Sequence, residues 1–279
     1  MSRLRGYLAI LGVLLAWGSS YSISRIAMGF MSPFMLSMFR FLIGGLVLLL
    51  ISRGLVVNLR AFINALLNSA SFVILLNLAI MYTSNPALAS VLVYTQPVFV
   101  LIISAVMGYE RISTLQAVGV ALAFLGIVVS VGSVSFDIGS VLAVIGGFVW
   151  ALGTIYYRRE LIHEDLIRLN ASMGLISALI ALPTLIINPR IDLTPQAILW
   201  GVLVALVAQV TGFLLWFIGI RELGAVTASS MSLLVPVFAY AFAYALLGRA
   251  PTVIEALGSA VTLIGVFLAQ GGAALKLRK

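Results

Sequence analysis

Long apolar segments, separated by short polar, glycine or proline breaks, follow one another along the whole chain. A helix needs about 20 apolar residues to cross the roughly 30 Å hydrocarbon core of a bilayer. Each segment is therefore predicted to be a transmembrane helix. Ten are predicted, at 6–27, 33–52, 61–82, 86–107, 114–132, 138–157, 167–187, 195–219, 225–247 and 252–272.

The segments repeat within the chain. A shift of 139 positions superimposes Pro97 on Pro236, and a shift of 133 places Trp17 on Trp150. Helices one to five therefore correspond to helices six to ten. Because five is odd, the second unit must start from the opposite face of the membrane. The pattern predicts an all-α membrane protein of ten transmembrane helices in two inverted-topology five-helix repeats around a central cavity, with residues 1–133 as the first repeat and 134–279 as the second.

Composition narrows the range of functions. The chain is 63% hydrophobic and 9% charged, with a mean hydropathy of +1.22 and no cysteine. A soluble domain has about 25% charged residues, so the surface of this chain must face lipid. The short loops leave no room for a soluble catalytic or nucleotide-binding domain, and disulfide or thiolate chemistry is excluded.

The cations predict an orientation. With the N-terminus inside, twelve of the 16 Lys and Arg residues fall in inner segments and two, Arg190 and Arg249, in outer loops. Loop cations concentrate on the cytoplasmic side. We therefore expect a multi-pass protein of the cell (inner) membrane with both termini in the cytoplasm, and no nucleic-acid partner.

Pro97 and Pro236 lie mid-helix at corresponding positions of the two halves, where a secondary transporter places its interrupted helices. Each would free the carbonyl four residues earlier and act as a hinge or gate. Ser90 and Tyr94 share a stripe with Pro97 on the fourth helix, as Ser229 and Tyr240 do with Pro236 on the ninth. The alternative is a pair of kinks packed by neighbouring helices.

Aromatic and amide side chains recur on other helices. Trp17 and Trp150 sit among small residues in the first and sixth helices, while the third carries Asn77 and the eighth Gln209 and Trp216. Buried amides need partners, which a water-filled cavity between the repeats would supply. Helix packing and interhelical hydrogen bonds are the competing explanation.

Arg40 lies about 10 Å inside the second helix by helical rise. An intramembrane arginine suggests a functional site, here for a substrate carboxylate. The alternative is a structural role, with the side chain snorkelling to the outer interface or bonding to loop carbonyls.

The eight acidic residues all fall at helix ends or in loops, and the single histidine lies in a loop. Metal sites, Ser-His-Asp arrangements and phosphate loops lack their residues, so the sequence predicts no enzyme, no metal and no cofactor. An intramembrane transferase would need clustered acids or a histidine pair.

Several segments of the sequence resemble a known family. WGSSYSISRIAM, SPFMLSMFRF and ALASVLVYTQPVFVLIISAVMGYERIS are similar to the first half of EamA-type members of the drug/metabolite transporter superfamily. VLAVIGGFVWALGTIYYRRE and ASSMSLLVPVFAYAFAYALLGRAP resemble the same repeat again. The likeness covers nearly the whole chain, and the relatives it suggests first are the YddG-type amino-acid exporters.

The resemblance implies a cavity that binds substrate. Carried over by position, its lining would comprise Trp17, Tyr21, Asn77, Ser90, Tyr94, Trp150, Gln209, Trp216, Ser229 and Tyr240. Arg40 matches an arginine of the family's second helix and Glu110 the acid that closes its fourth. Arg249 stands where the second repeat would carry the matching glutamate, so the two repeats differ at this position.

We expect a carrier that exports small amphipathic metabolites, with amino acids favoured and broad specificity, by alternating access. Nucleotide sugars, drugs or other organic ions of the same superfamily are the alternative substrates, and a channel is the alternative mechanism. Facilitated diffusion, proton antiport and exchange all remain open. The partners expected are a small-molecule substrate and the lipid bilayer, for a monomer or a homodimer that pairs through the glycine-containing faces of helices five and ten.

Overall fold

A computed structural model describes residues 2–107, 113–132, 137–223, 228 and 231–276, and the regular secondary structure of this part is helical. In chain order the helices are α1 Ser2–Ala27, α2 Pro33–Ser52, α3 Leu59–Tyr82, α4 Pro86–Val93, α5 Gln96–Val106, α6 Thr114–Gly132, α7 Ile138–Glu160, α8 Leu166–Ala181, α9 Pro195–Leu223, α10 Val235–Leu247 and α11 Val253–Lys276. A 3-10 turn, Leu182–Ile186, extends α8.

Helix lengths fit a multi-pass membrane protein. Among the described residues, seven helical stretches are long and apolar enough to cross a bilayer. They match predicted segments one to four and six to eight, the fourth being Pro86–Ile103, which includes α4 and most of α5. The first begins at Ser2 rather than at residue 6. Shorter apolar stretches lie within α6, α10 and α11, at Thr114–Ile127, Val235–Leu247 and Val253–Leu268.

Local capping explains where several helices begin. The Asn85 side chain accepts from the Ala87 amide, 3.0 Å away, and Pro86 follows as the first residue of α4. Ser32 and Pro33 begin α2 in the same way, and Asp137 caps α7. A side-chain acceptor satisfies an amide that the first turn leaves unpaired, and proline at the first position loses no helical bond.

The fourth predicted helix is broken in two, which corrects the position expected for Pro97. Tyr94 and Thr95 form a turn between α4 and α5, so Pro97 is the second residue of a new helix rather than a kink within one. The Thr95 hydroxyl donates to the Leu92 carbonyl at 2.7 Å. Gly147 of α7 packs against the Val93 carbonyl, where a Cβ would lie 2.8 Å from the oxygen.

The ninth predicted segment has the same break. Leu233 and Leu234 form the turn, and Pro236 is the second residue of α10. Both turns therefore precede their proline by the same number of residues, at positions 139 apart. A proline is tolerated in the first turn of a helix, where the missing amide has no partner to lose, so the break lies before each proline.

Helices α3 and α9 each contain a π-helical segment, Leu66–Ser71 and Ala205–Gly212. The two segments also begin 139 positions apart. Short π segments within α-helices are rare and are frequent at functional sites. In α9 the segment contains Gln209 and ends at the residue before Phe213.

Helices α6 and α11 pack backbone against backbone. A Cβ on Gly126 would lie 2.3 Å from the Thr262 amide nitrogen, and one on Gly265 would lie 2.2 Å from that of Ala123. The glycine faces that the sequence suggested for dimerisation are therefore occupied within the chain itself. Small residues of this kind allow helices to approach closely in lipid, where dispersion replaces the hydrophobic effect.

At one end of the bundle, the Ser32 end, the α1–α2 and α8–α9 connections pair with each other. Met31 and Ile191 form an isolated antiparallel bridge. The Ser32 amide donates to the Arg190 carbonyl at 2.8 Å, and the Arg190 side chain donates to the Met28 carbonyl at 2.8 Å. Two connections that are distant in sequence are thus joined by main-chain bonds.

At the opposite end, the Arg5 end, charged side chains make the connections. Arg60 and Glu160 approach to 3.4 Å, and Arg5 and Glu222 to 3.8 Å. The pairs link α3 with α7 and α1 with α9. Exposed ion pairs are individually weak, so the two ends of the bundle are held by contacts of different strength.

Candidate functional site

Three of the four tryptophans meet inside the bundle. Trp17 of α1 lies 5.8 Å from Trp150 of α7 and 5.5 Å from Trp216 of α9, measured between ring centroids. Trp150 and Trp216 are 6.0 Å apart. Their distance and tilt are those of favourable edge and offset contacts between aromatic rings. Predicted site residues from three helices are therefore brought together at one point.

Further rings surround the three indoles. Phe72 stacks on Trp150 with centroids 5.1 Å apart, and Tyr94 meets the same ring edge-on at 5.7 Å. Phe213 lies 5.5 Å from Trp17. The six residues, here called the aromatic cluster, are between 1% and 8% exposed: Trp17, Phe72, Tyr94, Trp150, Phe213 and Trp216. Four of the residues predicted to line a cavity, Trp17, Tyr94, Trp150 and Trp216, therefore form one continuous group of contacts.

Phe72 and Phe213 were not among the predicted site residues. Phe213 could have been found from Trp216, since it lies three positions before that residue on one helical face of a regular α-helical stretch. Phe72 carries no such signal, because it follows the π segment of α3 directly. A π turn shifts the face of every later residue, so periodicity read from the sequence fails there.

The Trp17 indole nitrogen donates to the Ala208 carbonyl at 3.2 Å. This carbonyl belongs to the π segment of α9, where the regular α-helical bonding is interrupted. Gly212 leaves room for the ring, because a Cβ there would lie 2.1 Å from the indole nitrogen. A helix distortion, a glycine and a tryptophan thus fit together at one contact.

We expect Gly212→Ala to displace the Trp17 ring and to break its bond to Ala208. Leaving a buried donor or acceptor unpaired costs about 1–3 kcal/mol, so the purified protein should melt at a lower temperature and its tryptophan fluorescence should change. Thr211→Ala, a change of the exposed neighbouring residue, is the control and should melt as the parent does. An unchanged melting temperature for Gly212→Ala would contradict the contact.

Arg40 is 3% exposed, and its Nε donates to Gln209 Oε1 at 3.1 Å. The guanidinium carbon lies 6.0 Å from the centroid of the Phe213 ring. The side chain therefore turns into the bundle beside the aromatic cluster and does not snorkel to an interface. Tyr21 is also buried and lies close enough to interact electrostatically with Arg40.

Asn77 forms a second polar contact on α2. Its Nδ2 donates to the Ser37 hydroxyl at 2.8 Å, and that hydroxyl donates to the Pro33 carbonyl at 2.8 Å. Asn77 and Gln209 are both fully buried. The interhelical hydrogen bonds that were the competing explanation for these amides are therefore present, and each uses one atom of the amide.

Other predicted residues direct their polar groups to partners outside the aromatic cluster. The Ser90 hydroxyl bonds to the Ala87 carbonyl of its own helix at 2.6 Å, and the Tyr240 hydroxyl lies 2.9 Å from Ser259 Oγ on α11. Pro97 and Pro236 begin their helices rather than line the cluster. Ser229 and Glu110 lie outside the described residues.

The arrangement offers flat apolar surfaces, two amides and one cation. No acidic residue precedes Glu110 in the sequence. The single acid of α9, Glu222, pairs with Arg5 at the far end of that helix. Within the part of the chain that the structure describes, Arg40 meets the neutral Gln209 amide and takes part in neither ion pair, so its charge is available to an anion.

Comparison with known proteins gives two matches to one family. The sequence model of the EamA-like transporter family matches residues 4–132 and again residues 137–270. Nearly the whole chain is covered, and the two matches divide it close to the boundary of the predicted repeats.

Full-length relatives agree with this. An Archaeoglobus fulgidus protein named "Uncharacterized transporter" is 27% identical over 272 residues, which cover 91% of this chain and 93% of the relative. An Escherichia coli protein named "Probable amino-acid metabolite efflux pump" is 27% identical over 286 residues, covering 96% and 95%. A solved crystal structure matches with a TM-score of 0.69 at 20% identity, covering 96% of this chain and 97% of the other, and shows a shared fold.

Proposed function

The chain belongs to the EamA-like transporter family, and from this premise we propose that it is a secondary transporter that exports small amphipathic metabolites, chiefly amino acids, by alternating access. The aromatic cluster is the observation that carries the proposal. Its rings come from α1, α3 and the turn after α4 in the first half and from α7 and α9 in the second, so a change in the packing of the halves would open it. Aromatic surfaces bind apolar side chains of varied shape.

We further propose that ten helices form two inverted repeats, residues 1–133 and 134–279. The two separate family matches support this division, as do the matching helix breaks and π segments. Trp17 and Trp150, which the shift of 133 positions superimposes, touch at the junction of the repeats. An interface between inverted repeats near the midplane is where secondary transporters bind substrate.

The proposed orientation places both termini in the cytoplasm of a cell whose inner membrane holds the protein. The excess of cations at the Arg5 end supports it. The Ser32 end would then face outward, closed by the pairing of Met31 with Ile191. Export requires these main-chain bonds to break on the outward step while the contacts of the Arg5 end tighten.

Transport by purified protein in liposomes tests the function. Labelled leucine, phenylalanine and threonine should cross protein-containing vesicles at a rate that saturates with concentration, and unlabelled substrate on the far side should accelerate exchange. Empty vesicles provide the baseline. Flux of no amino acid above that baseline would contradict the substrate class.

The same vesicles should be tested with nucleotide sugars and organic cations. The aromatic cluster favours the cations as a second candidate, because ring faces attract positive charge. Flux of an organic cation without flux of amino acids would indicate drug-like substrates. In electrical recordings, a conductance that does not saturate with substrate concentration would indicate a channel instead of a carrier.

A further inference from the structure

Two buried amides that bond to side chains of α2 each use one polar atom and leave the other without a partner among the described residues. Gln209 Nε2 and Asn77 Oδ1 are fully buried and find no hydrogen-bond partner among the described residues. Such atoms are uncommon, because burying a polar group without a partner costs about 1–3 kcal/mol. The unpartnered atoms are of opposite kinds, a donor on Gln209 and an acceptor on Asn77.

The orientation of the Gln209 amide is fixed by Arg40. A guanidinium has only donors, so the atom that meets Arg40 Nε at 3.1 Å must be the amide oxygen. The NH2 group therefore points elsewhere, with two hydrogens to donate. Exchanging the oxygen and nitrogen would set a donor against a donor.

The orientation of the Asn77 amide is fixed by Ser37. The single hydroxyl proton of Ser37 is used on the Pro33 carbonyl, 2.8 Å away. The hydroxyl oxygen can then only accept, so the group that meets it at 2.8 Å must be the Asn77 NH2. The Asn77 carbonyl oxygen is left as the free acceptor.

Both amides bond to side chains of α2 that lie one helical turn apart. Asn77 bonds to Ser37 and Gln209 to Arg40, and side chains three residues apart on a helix lie about 5–6 Å apart between their Cβ atoms. Helix α2 therefore brings the two amides to neighbouring positions on one of its faces. The positive charge of Arg40 strengthens the binding of an anion at the Gln209 NH2 group and not at the Asn77 oxygen.

We propose that Gln209 and Asn77 are the two ends of a site that recognises a zwitterion: Gln209, assisted by Arg40, donates to an α-carboxylate, and Asn77 accepts from the α-ammonium. The inference rests on the proposed function and specifies its substrate as an α-amino acid. The aromatic cluster, which contacts Arg40 through Phe213, receives the side chain of that substrate. Recognition of the backbone with an adaptable apolar surface accounts for broad specificity.

Three ligands of similar shape test the two ends separately in the purified full-length chain. Leucine carries both charges, isocaproate lacks the ammonium and isoamylamine lacks the carboxylate. Thermal shift and competition against labelled leucine in vesicles measure their affinities. A hydrogen bond to a charged group is strong enough for each analogue to bind about tenfold more weakly than leucine.

Substitutions assign each end to a residue. In Asn77→Leu, the affinity for leucine should fall to that for isocaproate, while the affinity for isocaproate should stay unchanged. Gln209→Glu keeps the shape and the acceptor for Arg40 but removes both donors and adds a negative charge, so isoamylamine should bind more tightly than leucine. Asn170→Leu is the matched control: Asn170 of α8 is equally buried and has the same unpartnered oxygen, and its loss should leave the order of the three ligands unchanged.

The outcomes separate this inference from the function on which it rests. If the parent protein neither binds nor transports leucine or any other amino acid, the proposed function fails. If it transports leucine and distinguishes the analogues, but Asn77→Leu and Gln209→Glu keep the original order of affinities, the zwitterion site is overturned and the transporter stands. Reversal of the order in Gln209→Glu supports the site even where Asn77→Leu does not fold.

Discussion

Trp150→Ala is expected to abolish measurable transport and to lower the melting temperature more than any other single change in the aromatic cluster. Trp150 is 3% exposed and touches Trp17, Phe72, Tyr94 and Trp216. Truncating a buried tryptophan costs about 3–5 kcal/mol in soluble proteins. In lipid the loss of packing contacts remains, since packing is what holds helices together there.

Two further variants separate the fold from the site. Trp150→Phe keeps a ring that can pack on Phe72, so the protein should fold with a modest loss of melting temperature and transport with altered affinity. Trp200→Ala truncates a half-buried tryptophan of α9 outside the cluster and should leave transport intact. Normal flux through Trp150→Ala vesicles would show that substrate does not pass the cluster.

Gly126→Ala is expected to prevent the close packing of α6 against α11 and to yield protein that is aggregated or poorly folded in detergent. The added methyl would lie 2.3 Å from the Thr262 amide nitrogen and 2.7 Å from the Gly258 carbonyl oxygen. Both are backbone atoms that no side-chain rotation can move aside. The two helices would have to separate along their length, which removes the packing that holds them.

Gly146→Ala provides the control for Gly126→Ala. Gly146 is buried within α7, and a Cβ there would lie 3.6 Å from its nearest neighbour, an ordinary contact. This change should be neutral or stabilising by up to about 1 kcal/mol, since glycine is the poorer helix former. Size-exclusion profiles and melting temperatures of the two variants make the comparison, and equal behaviour would contradict the α6–α11 packing.

The membrane-embedded, all-helical architecture could be predicted from the sequence because lipid permits few alternatives. Backbone groups must be satisfied within each segment, so segment lengths translate directly into helices. That Trp17, Trp150 and Trp216 meet could also be predicted, since a shift of 133 positions relates the first two and the third was expected to line the same cavity. Family membership was recognisable from the same residues.

Other features depend on contacts that a single helix cannot reveal. Pro97 indicates a helix break, but the sequence does not say whether the break lies before or after it. The break lies before Pro97 because a proline is tolerated in the first turn of a helix, and the Thr95 hydroxyl bonds to the Leu92 carbonyl within that break. The direction of Arg40 depends on Gln209, which lies 169 positions away in sequence. The free atom of Asn77 follows from the use of the Ser37 proton on the Pro33 carbonyl, and that of Gln209 follows from its bond to Arg40. Only the folded structure specifies these contacts.

The paired π segments carry information about the history of the chain. Each adds a residue to a helical turn, and removing one would rotate the rest of the helix by about 100° and carry Phe213 and Trp216, or their counterparts in α3, off their face. Independent insertions would have little reason to fall at the same register, yet Leu66 and Ala205 begin their segments 139 positions apart, the offset that relates Pro97 to Pro236. A common origin follows most simply: the extra residue was present in an ancestral unit before it duplicated into the two segments that match the family model, residues 4–132 and 137–270.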